Sequence, residues 1–305
     1  MIYHLAHKFA EKGVKVLAVD LDPQAGLTEM FGKALHVDSE LCSDWHLSLG
    51  HFLINDESRN NNSGKSDELA VYQVNSNLLF IPADIYLYLH DKKLNSIWNA
   101  SGPIDTLSLF KIYDLTLDLA DMNDIEVMLI DLSINCYEIS KSTLLTSDCI
   151  IVPVSFDDHS TDSLFITGMI MREVKSNPLL EKHKIAFTEE MQKAGYIVFQ
   201  SDINDITDKP KVERDELIAK NYHEYVLNES RPTVKDIYYD RYSLSIIKFN
   251  PSLYQMSREA GKPMFHLTPA DGAIGNHLNA VRQCSLEYDI LAERINEACK
   301  LGLKL

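Results

Sequence analysis

The feature that most constrains the fold is a series of short, wholly apolar runs separated by helical stretches. The first run covers residues 14–19 and follows a helical pattern over residues 1–12 that ends at Gly13. Further runs cover residues 127–130 and 149–154. Strands that are buried on both faces read as continuous apolar runs rather than alternating ones. The sequence therefore predicts an α/β fold, with a mostly parallel sheet covered by helices on both faces.

The composition agrees with a globular chain that has one sizeable core. Of its 305 residues, 45% are hydrophobic and 24% are charged. We predict a single domain over residues 1–305, with a helical segment at about 205–260 that is rich in tyrosine and charge. Because no run approaches the roughly 18 apolar residues that a membrane span needs, we expect no membrane partner and a cytoplasmic location. The five cysteines lack C-x-x-C spacing, so we predict structural thiols rather than a disulfide or a zinc site.

The charge is strongly and unevenly negative. The net charge is −16, and residues 1–150 carry 10 Lys and Arg against 22 Asp and Glu, whereas residues 151–305 carry 19 against 23. Any surface that binds nucleic acid is therefore predicted in the second half. Tyrosines at 238, 239 and 242 alternate there with basic residues, and the DNA-binding candidates are Lys235, Arg241 and Lys248. The alternative for each of them is an ordinary solvated face.

Acidic residues follow two of the apolar runs. Asp20 and Asp22 come after the first run, and Asp131 comes directly after the run 127–130. Ligands of parallel α/β sheets bind outside the carboxyl ends of the strands, where such carboxylates can hold a magnesium-bound water near phosphates. An Asp that merely caps the next helix is the alternative.

The segment 15–32, KVLAVDLDPQAGLTEMFG, resembles the second strand and the D-x-D-P-Q motif of the ParA/MinD family of deviant-Walker P-loop ATPases. Other segments resemble the family's remaining elements in the same order, and they are residues 1–12, 77–83, 127–135, 147–154, 260–265 and 288–295. A chance D-x-D-P-Q would not bring this order with it.

The resemblance implies roles for four residues. Asp22 would be catalytic and orient the attacking water, and Asp131 would hold a magnesium-bound water. Asp20 would support the magnesium shell and the cofactor, and Gln24 would belong to the cofactor-binding turn or to a dimer contact. The implied cofactors are ATP and Mg²⁺. The implied partners are a second copy of the chain, non-specific DNA and a partition partner protein, which implies association with the nucleoid.

Two departures from the family pattern matter. The family's phosphate loop, K-G-G-x-G-K-T, precedes its first helix, and here that helix begins at Met1. We therefore expect an N-terminally truncated ParA-like domain that lacks the first strand and the P-loop and is inactive alone as an ATPase. That strand would lie in mid-sheet, so its flanking strands would be left unpaired. In addition, residues 131–135 read D-L-S-I-N where the family has D-x-P-P-S.

The function implied is an ATP-dependent dimerising switch in plasmid or chromosome partition. An ATPase-dead adaptor of the same fold is the alternative. A relative that holds an iron–sulfur cluster is disfavoured, because no cysteine has a convincing cluster-ligand setting.

Overall fold

The computed structural model describes nine stretches of the chain: residues 1–36, 47–54, 69–99, 105–133, 136–155, 160–176, 192–201, 211–228 and 240–305. The chain divides into two compact units. Unit 1 comprises residues 1–146, 258–263 and Leu305, and unit 2 comprises residues 147–257 and 264–304. That residues 1–305 act as one domain stays a prediction.

The sheet of unit 1 has four strands in the order β2-β3-β1-β4. They are β1 (Val16–Asp20), β2 (Tyr72–Asn75), β3 (Leu78–Ile81) and β4 (Val127–Asp131). β1 runs parallel to both β3 and β4, and every residue of β1 is buried. β2 is antiparallel to β3. The continuous apolar run that predicted β1 is thus explained by its central position.

Six of the described helices belong to unit 1, and they are α1 (Ile2–Glu11), α2 (Gly26–Ala34), α3 (Leu49–Ile54), α4 (Leu87–Trp98), α5 (Thr106–Asn123) and α6 (Tyr137–Thr146). α1 packs against β1, β3 and β4 through an apolar face that includes Leu5 and Phe9. It ends where predicted, since Gly13 has a φ of +87°. The Asp105 side chain caps α5 by accepting a hydrogen bond from the Ser108 N–H.

Unit 2 contains a three-stranded parallel sheet in the order β5-β6-β7. Its strands are β5 (Cys149–Ser155), β6 (Gln192–Ser201) and β7 (Ser243–Phe249). The helices in this part of the chain are α7 (Ser160–Ser176), α8 (Lys211–Asn221), α9 (Pro251–Ala260) and α10 (Asn276–Ala298), and a π-helical turn (Tyr222–Val226) follows α8. α10 packs on β7 and β6.

The structure confirms the predicted α/β class with mostly parallel strands and adds three corrections. The described strands form two sheets, of which β4 and β5 are edge strands, where the sequence predicted one sheet. Within the segment 205–260, α8, the π-helical turn and all of α9 are helical, but residues 243–249 form a strand. Cys149 and Cys299 are joined in a disulfide, so the prediction of thiols was wrong for these two. No helix in the described ranges is long and apolar enough to cross a membrane.

Candidate functional site

The carboxylate of Asp20 is fully buried at the end of β1 and is bound from two directions. One oxygen accepts a hydrogen bond from the Asp22 N–H at 3.0 Å. The other accepts two from Thr28, from its N–H at 2.8 Å and from its hydroxyl at 2.7 Å. Asp20 thereby fixes the turn that follows β1 to the first turns of α2.

The Thr28 hydroxyl extends this network to the segment that follows β3, because it also accepts a hydrogen bond from the Ala83 N–H at 2.9 Å. Burial raises the pKa of Asp20 to about 6, and the hydrogen bonds from Thr28 and Asp22 oppose that rise. Desolvation of the carboxylate therefore outweighs the hydrogen bonds that stabilise its charged form.

Asp22 shapes the turn between β1 and α2. Its carboxylate accepts a hydrogen bond from the Gln24 N–H at 3.0 Å, and its carbonyl accepts one from the Ala25 N–H at 2.8 Å. Ala25 has a φ of +56°, the left-handed conformation, directly before α2. Gln24 is exposed, and its side-chain amide donates to the Tyr88 hydroxyl of α4 at 3.2 Å.

Asp131 ends β4 directly opposite Asp20 in the sheet. Its carbonyl accepts a hydrogen bond from the Leu21 N–H at 2.9 Å. Burial raises the pKa of Asp131, and the negative charge of Asp22 raises it further. The structure thus brings together the three aspartates that the sequence singled out, at one end of the sheet of unit 1.

Sequence reasoning missed a fourth carboxylate, Asp91 on α4. One of its oxygens accepts hydrogen bonds from the N–H groups of Glu138 and Ile139, both at 2.9 Å. These are amides of the first turn of α6, which have no partner within their own helix. The Lys141 ammonium of α6 also lies 4.9 Å from the ring centroid of Trp98 on α4. α4 therefore contacts both the turn after β1 and the helix after β4, and no periodicity in the sequence indicates this.

The aspartates differ in how they fit a magnesium ion. Oxygen ligands suit Mg²⁺, which keeps several of its waters when bound. Asp20 already accepts three hydrogen bonds from the chain, so it suits support of the turn rather than direct ligation. Asp22 and Asp131 are partly exposed and fit a role through bound water. In the described residues, no group of three or more His, Cys, Asp or Glu is arranged to hold a metal ion directly.

The DNA-binding candidates do not adjoin one another as far as the structure describes them. Arg241 lies before β7 and stacks on the Tyr242 ring, 4.6 Å from its centroid. Lys248 lies seven residues further along the chain, near the other end of β7. Both are exposed. Lys235 lies outside the described residues, and the DNA contact stays a prediction.

Unit 2 contains a buried polar cluster around Asp240 that the sequence did not indicate. One oxygen of Asp240 accepts a hydrogen bond from the Tyr196 hydroxyl at 2.8 Å, and the other lies 3.2 Å from Nε2 of His223. His223 belongs to the π-helical turn and Tyr196 to β6. The cluster joins the turn to the sheet, and its parts are too far apart in the sequence to form a local motif.

Comparisons with known proteins agree with this fold. A family model described as "AAA domain" matches residues 1–185, which is more than half of the chain. None of the curated proteins compared with the chain is similar to it.

Solved structures resemble nearly the whole chain at low sequence identity. Apo McdA from Cyanothece is 18% identical with a TM-score of 0.57, over 96% of this chain and 92% of that one. A protein from Corynebacterium diphtheriae is 12% identical with a TM-score of 0.55, over 99% and 94%. A putative plasmid partition protein from Borrelia burgdorferi, bound to AMPPNP, is 16% identical with a TM-score of 0.50, over 96% and 92%. The chain belongs to this AAA-domain family and has the fold of the ParA/MinD-type P-loop ATPases.

Proposed function

We propose that this protein is an ATP-dependent dimerising switch in plasmid or chromosome partition, in which ATP hydrolysis is coupled to binding of non-specific DNA and a partner protein. The carrying observation is the clustering of Asp20, Asp22 and Asp131 at one end of the sheet, within the D-x-D-P-Q turn and at the end of β4. Structures of similar fold have been solved with nucleotide, and they include McdA(D38A) from Cyanothece with ATP.

In this proposal the three aspartates have different roles. Bound Mg²⁺–ATP supplies the phosphoryl group and the cation that offsets the charge of the aspartates. Asp22, partly exposed at the turn, orients the attacking water and takes up its proton. Asp131 would hold a water of the magnesium shell. Asp20, through its three hydrogen bonds, keeps the turn in place for Asp22.

ATP binding at this site requires positive charge that offsets the charge of the aspartates. Three carboxylates at one site repel a triphosphate, so ATP binding requires cationic and N–H groups to surround the phosphates. The family's K-G-G-x-G-K-T loop provides such groups, and it does not occur within these 305 residues. The proposal therefore requires a phosphate-binding loop that supplies these groups.

Dimer formation draws support from the start of α4. Tyr88, which contacts Gln24, has exposed apolar neighbours, since Ile85 is 66% exposed and Leu89 is 52% exposed. An exposed apolar group beside the D-x-D-P-Q turn suits a contact with another protein surface. We propose that Gln24 and these side chains meet a second copy of the chain.

The test compares two forms of the protein, the 305-residue chain and a form extended at its amino terminus by a strand and a K-G-G-x-G-K-T phosphate loop. We expect no Mg²⁺-dependent ATP hydrolysis above background from the first. In the second, Asp22→Ala should lower kcat about 100-fold or more while the Kd for a fluorescent ATP analogue stays within about threefold, because the residue acts mainly in the transition state. Asp118→Ala, an exposed aspartate of α5, is the matched control and should match wild type.

Retained hydrolysis in Asp22→Ala would refute the assigned role, and an equal loss of nucleotide binding would show that Asp22 holds the nucleotide or the fold instead. The second candidate function, an ATPase-dead adaptor, is favoured by one observation, the D-L-S-I-N sequence after β4 in place of D-x-P-P-S. It predicts that neither form binds or hydrolyses ATP, while partner binding persists without nucleotide.

A further inference from the structure

The disulfide between Cys149 and Cys299 joins two distant parts of unit 2. The two Cα atoms are 5.8 Å apart, and the cysteines are 150 residues apart in the sequence. Cys149 is the first residue of β5, and Cys299 follows directly after α10. This bond belongs neither to the aspartate site nor to the polar cluster around Asp240.

α10 crosses the sheet of unit 2 from β7 to β5, and the disulfide links the end of the helix to β5. Earlier parts of the helix are held at β7, where the Glu287 carboxylate accepts a hydrogen bond from the Lys248 N–H at 3.0 Å and the Arg294 guanidinium donates to the Leu244 carbonyl at 2.9 Å. Its end reaches β5, the strand at the opposite edge of the sheet. β5 is hydrogen-bonded to β6 on one side and to no described strand on the other. The disulfide therefore fastens an edge strand to the helix that covers its sheet.

The bond also encloses nearly all of unit 2. Unit 2 begins at Ser147 and ends at Lys304, and the bonded pair stands two residues after its start and five before its end. Formation of the bond therefore converts the chain of unit 2 into a nearly complete covalent ring. A cross-link that spans so long a loop removes much conformational freedom from the unfolded chain.

The four cysteines that the structure describes differ in their access to small redox reagents. Cys149 is partly exposed, whereas the thiols of Cys136 and Cys284 are buried. Burial also raises the pKa of Cys136 to about 12, which keeps this thiol protonated and unreactive. Among the described cysteines, the bonded pair is thus the one that a dissolved thiol can reach.

We propose that Cys149 and Cys299 form a reversible thiol–disulfide switch that fastens the end of α10 to β5 when oxidised and releases it when reduced. In the oxidising direction, the two thiols lose two protons and two electrons as the Sγ–Sγ bond forms, and a disulfide oxidant such as oxidised glutathione is reduced to two thiols. A dithiol reductant reverses the exchange. The switch is independent of nucleotide and goes beyond the function proposed above.

The test uses the 305-residue protein with Cys42→Ser, equilibrated over a series of ratios of reduced to oxidised glutathione. After acid quenching and alkylation, mass spectrometry should detect one transition, in which a peptide containing Cys149 becomes linked to one containing Cys299. Amide hydrogen exchange at residues 295–299 should be about tenfold slower in the oxidised protein. The midpoint of thermal unfolding should rise by roughly 10 °C.

Cys299→Ser should show neither response, and Cys284→Ser, the matched control on the same helix, should show both. Because the comparison of oxidised with reduced protein needs no change at the pair, misfolding of Cys299→Ser would leave the test intact. Absence of the linked peptide at every ratio would overturn the proposal. So would a linked protein whose exchange at residues 295–299 equals that of the reduced one.

Discussion

The hydroxyl of Thr28 offers the sharpest test of how the aspartate site is built. It donates to Asp20 at 2.7 Å and accepts from the Ala83 N–H at 2.9 Å, and Thr28 is buried. Thr28→Val keeps the shape of the side chain and removes both hydrogen bonds. Losing a hydrogen bond to a charged group costs about 2 kcal/mol, and a buried N–H without an acceptor costs about 1–2 kcal/mol more. We expect the free energy of unfolding to fall by about 3–4 kcal/mol at pH 7.5.

The pH dependence of the free energy of unfolding distinguishes loss of the hydrogen bond to the charged Asp20 from loss of side-chain packing. The folded pKa of Asp20 is about 6, above its ordinary value of 3.8, so the folded protein holds this proton more tightly than the unfolded chain does. Ionisation of Asp20 therefore lowers the free energy of unfolding as the pH rises from about 4 to about 6, by about 3 kcal/mol in total. Thr28→Val removes a hydrogen bond that favours the carboxylate, so it should raise this pKa further. The loss of unfolding free energy caused by Thr28→Val should be about 1 kcal/mol smaller at pH 4.5, where Asp20 is protonated.

Urea unfolding in metal-free buffer, at pH 7.5 and pH 4.5, measures both effects. Thr28→Ser is the control, because it keeps the hydroxyl and loses one methyl group, at a cost of about 1 kcal/mol. Equal losses in the two variants, or a cost of Thr28→Val that does not change with pH, would refute the argument that the hydroxyl holds a buried carboxylate.

Three other positions in unit 1 give predictions from local geometry. Asp91→Ala should speed hydrogen exchange of the Glu138 and Ile139 amides about fivefold, since a lost helix cap costs about 1 kcal/mol, and unchanged exchange would show that Asp91 does not cap α6. Gly261→Ala should cost about 3 kcal/mol in urea unfolding, because φ is +61° and an added Cβ would lie 2.6 Å from the Lys33 backbone. Gly13→Ala, with φ +87° and open space, should cost about 1 kcal/mol, and equal costs would contradict the crowding at Gly261.

The core of unit 1 and its aspartates were predictable because each rests on a local pattern. The run 14–19 identified β1, and the run 127–130 identified β4. Since parallel strands end at a common edge, their terminal aspartates had to meet once both strands were placed. Thr28 and Asp91 were not predictable, because nothing in the sequence shows that an α2 hydroxyl turns toward β1 or that an α4 carboxylate reaches α6.

Unit 2 was less predictable because its elements lie among charged and aromatic residues. The strand β7 reads S-L-S-I-I-K-F and follows a region rich in Tyr, Asp and Arg, which we interpreted as helical. Residues 260–265, which resemble one of the family's elements and whose apolar end 263–265 suggested a strand, lead into a short 3₁₀ helix at Met264–His266. The partner of Cys149 was hidden by the 150 residues between the two cysteines, since pairing depends on a fold that composition does not specify.

Residues 258–263 belong to unit 1, although most of unit 1 is formed by residues 1–146. The ribosome therefore synthesises the parts of unit 1 at well-separated times. The hydroxyl of Tyr3 donates to the carbonyl of Gly261, 258 residues later, and the Arg258 guanidinium donates twice to the Glu29 carboxylate. At about 5–20 residues per second, the nascent chain waits at least ten seconds or so between the emergence of the first partners and the last. Throughout that interval the strands of unit 1 have been synthesised, but residues 258–263 have not. Completion of unit 1 therefore waits until residues 258–263 have been made, although its sheet is encoded first.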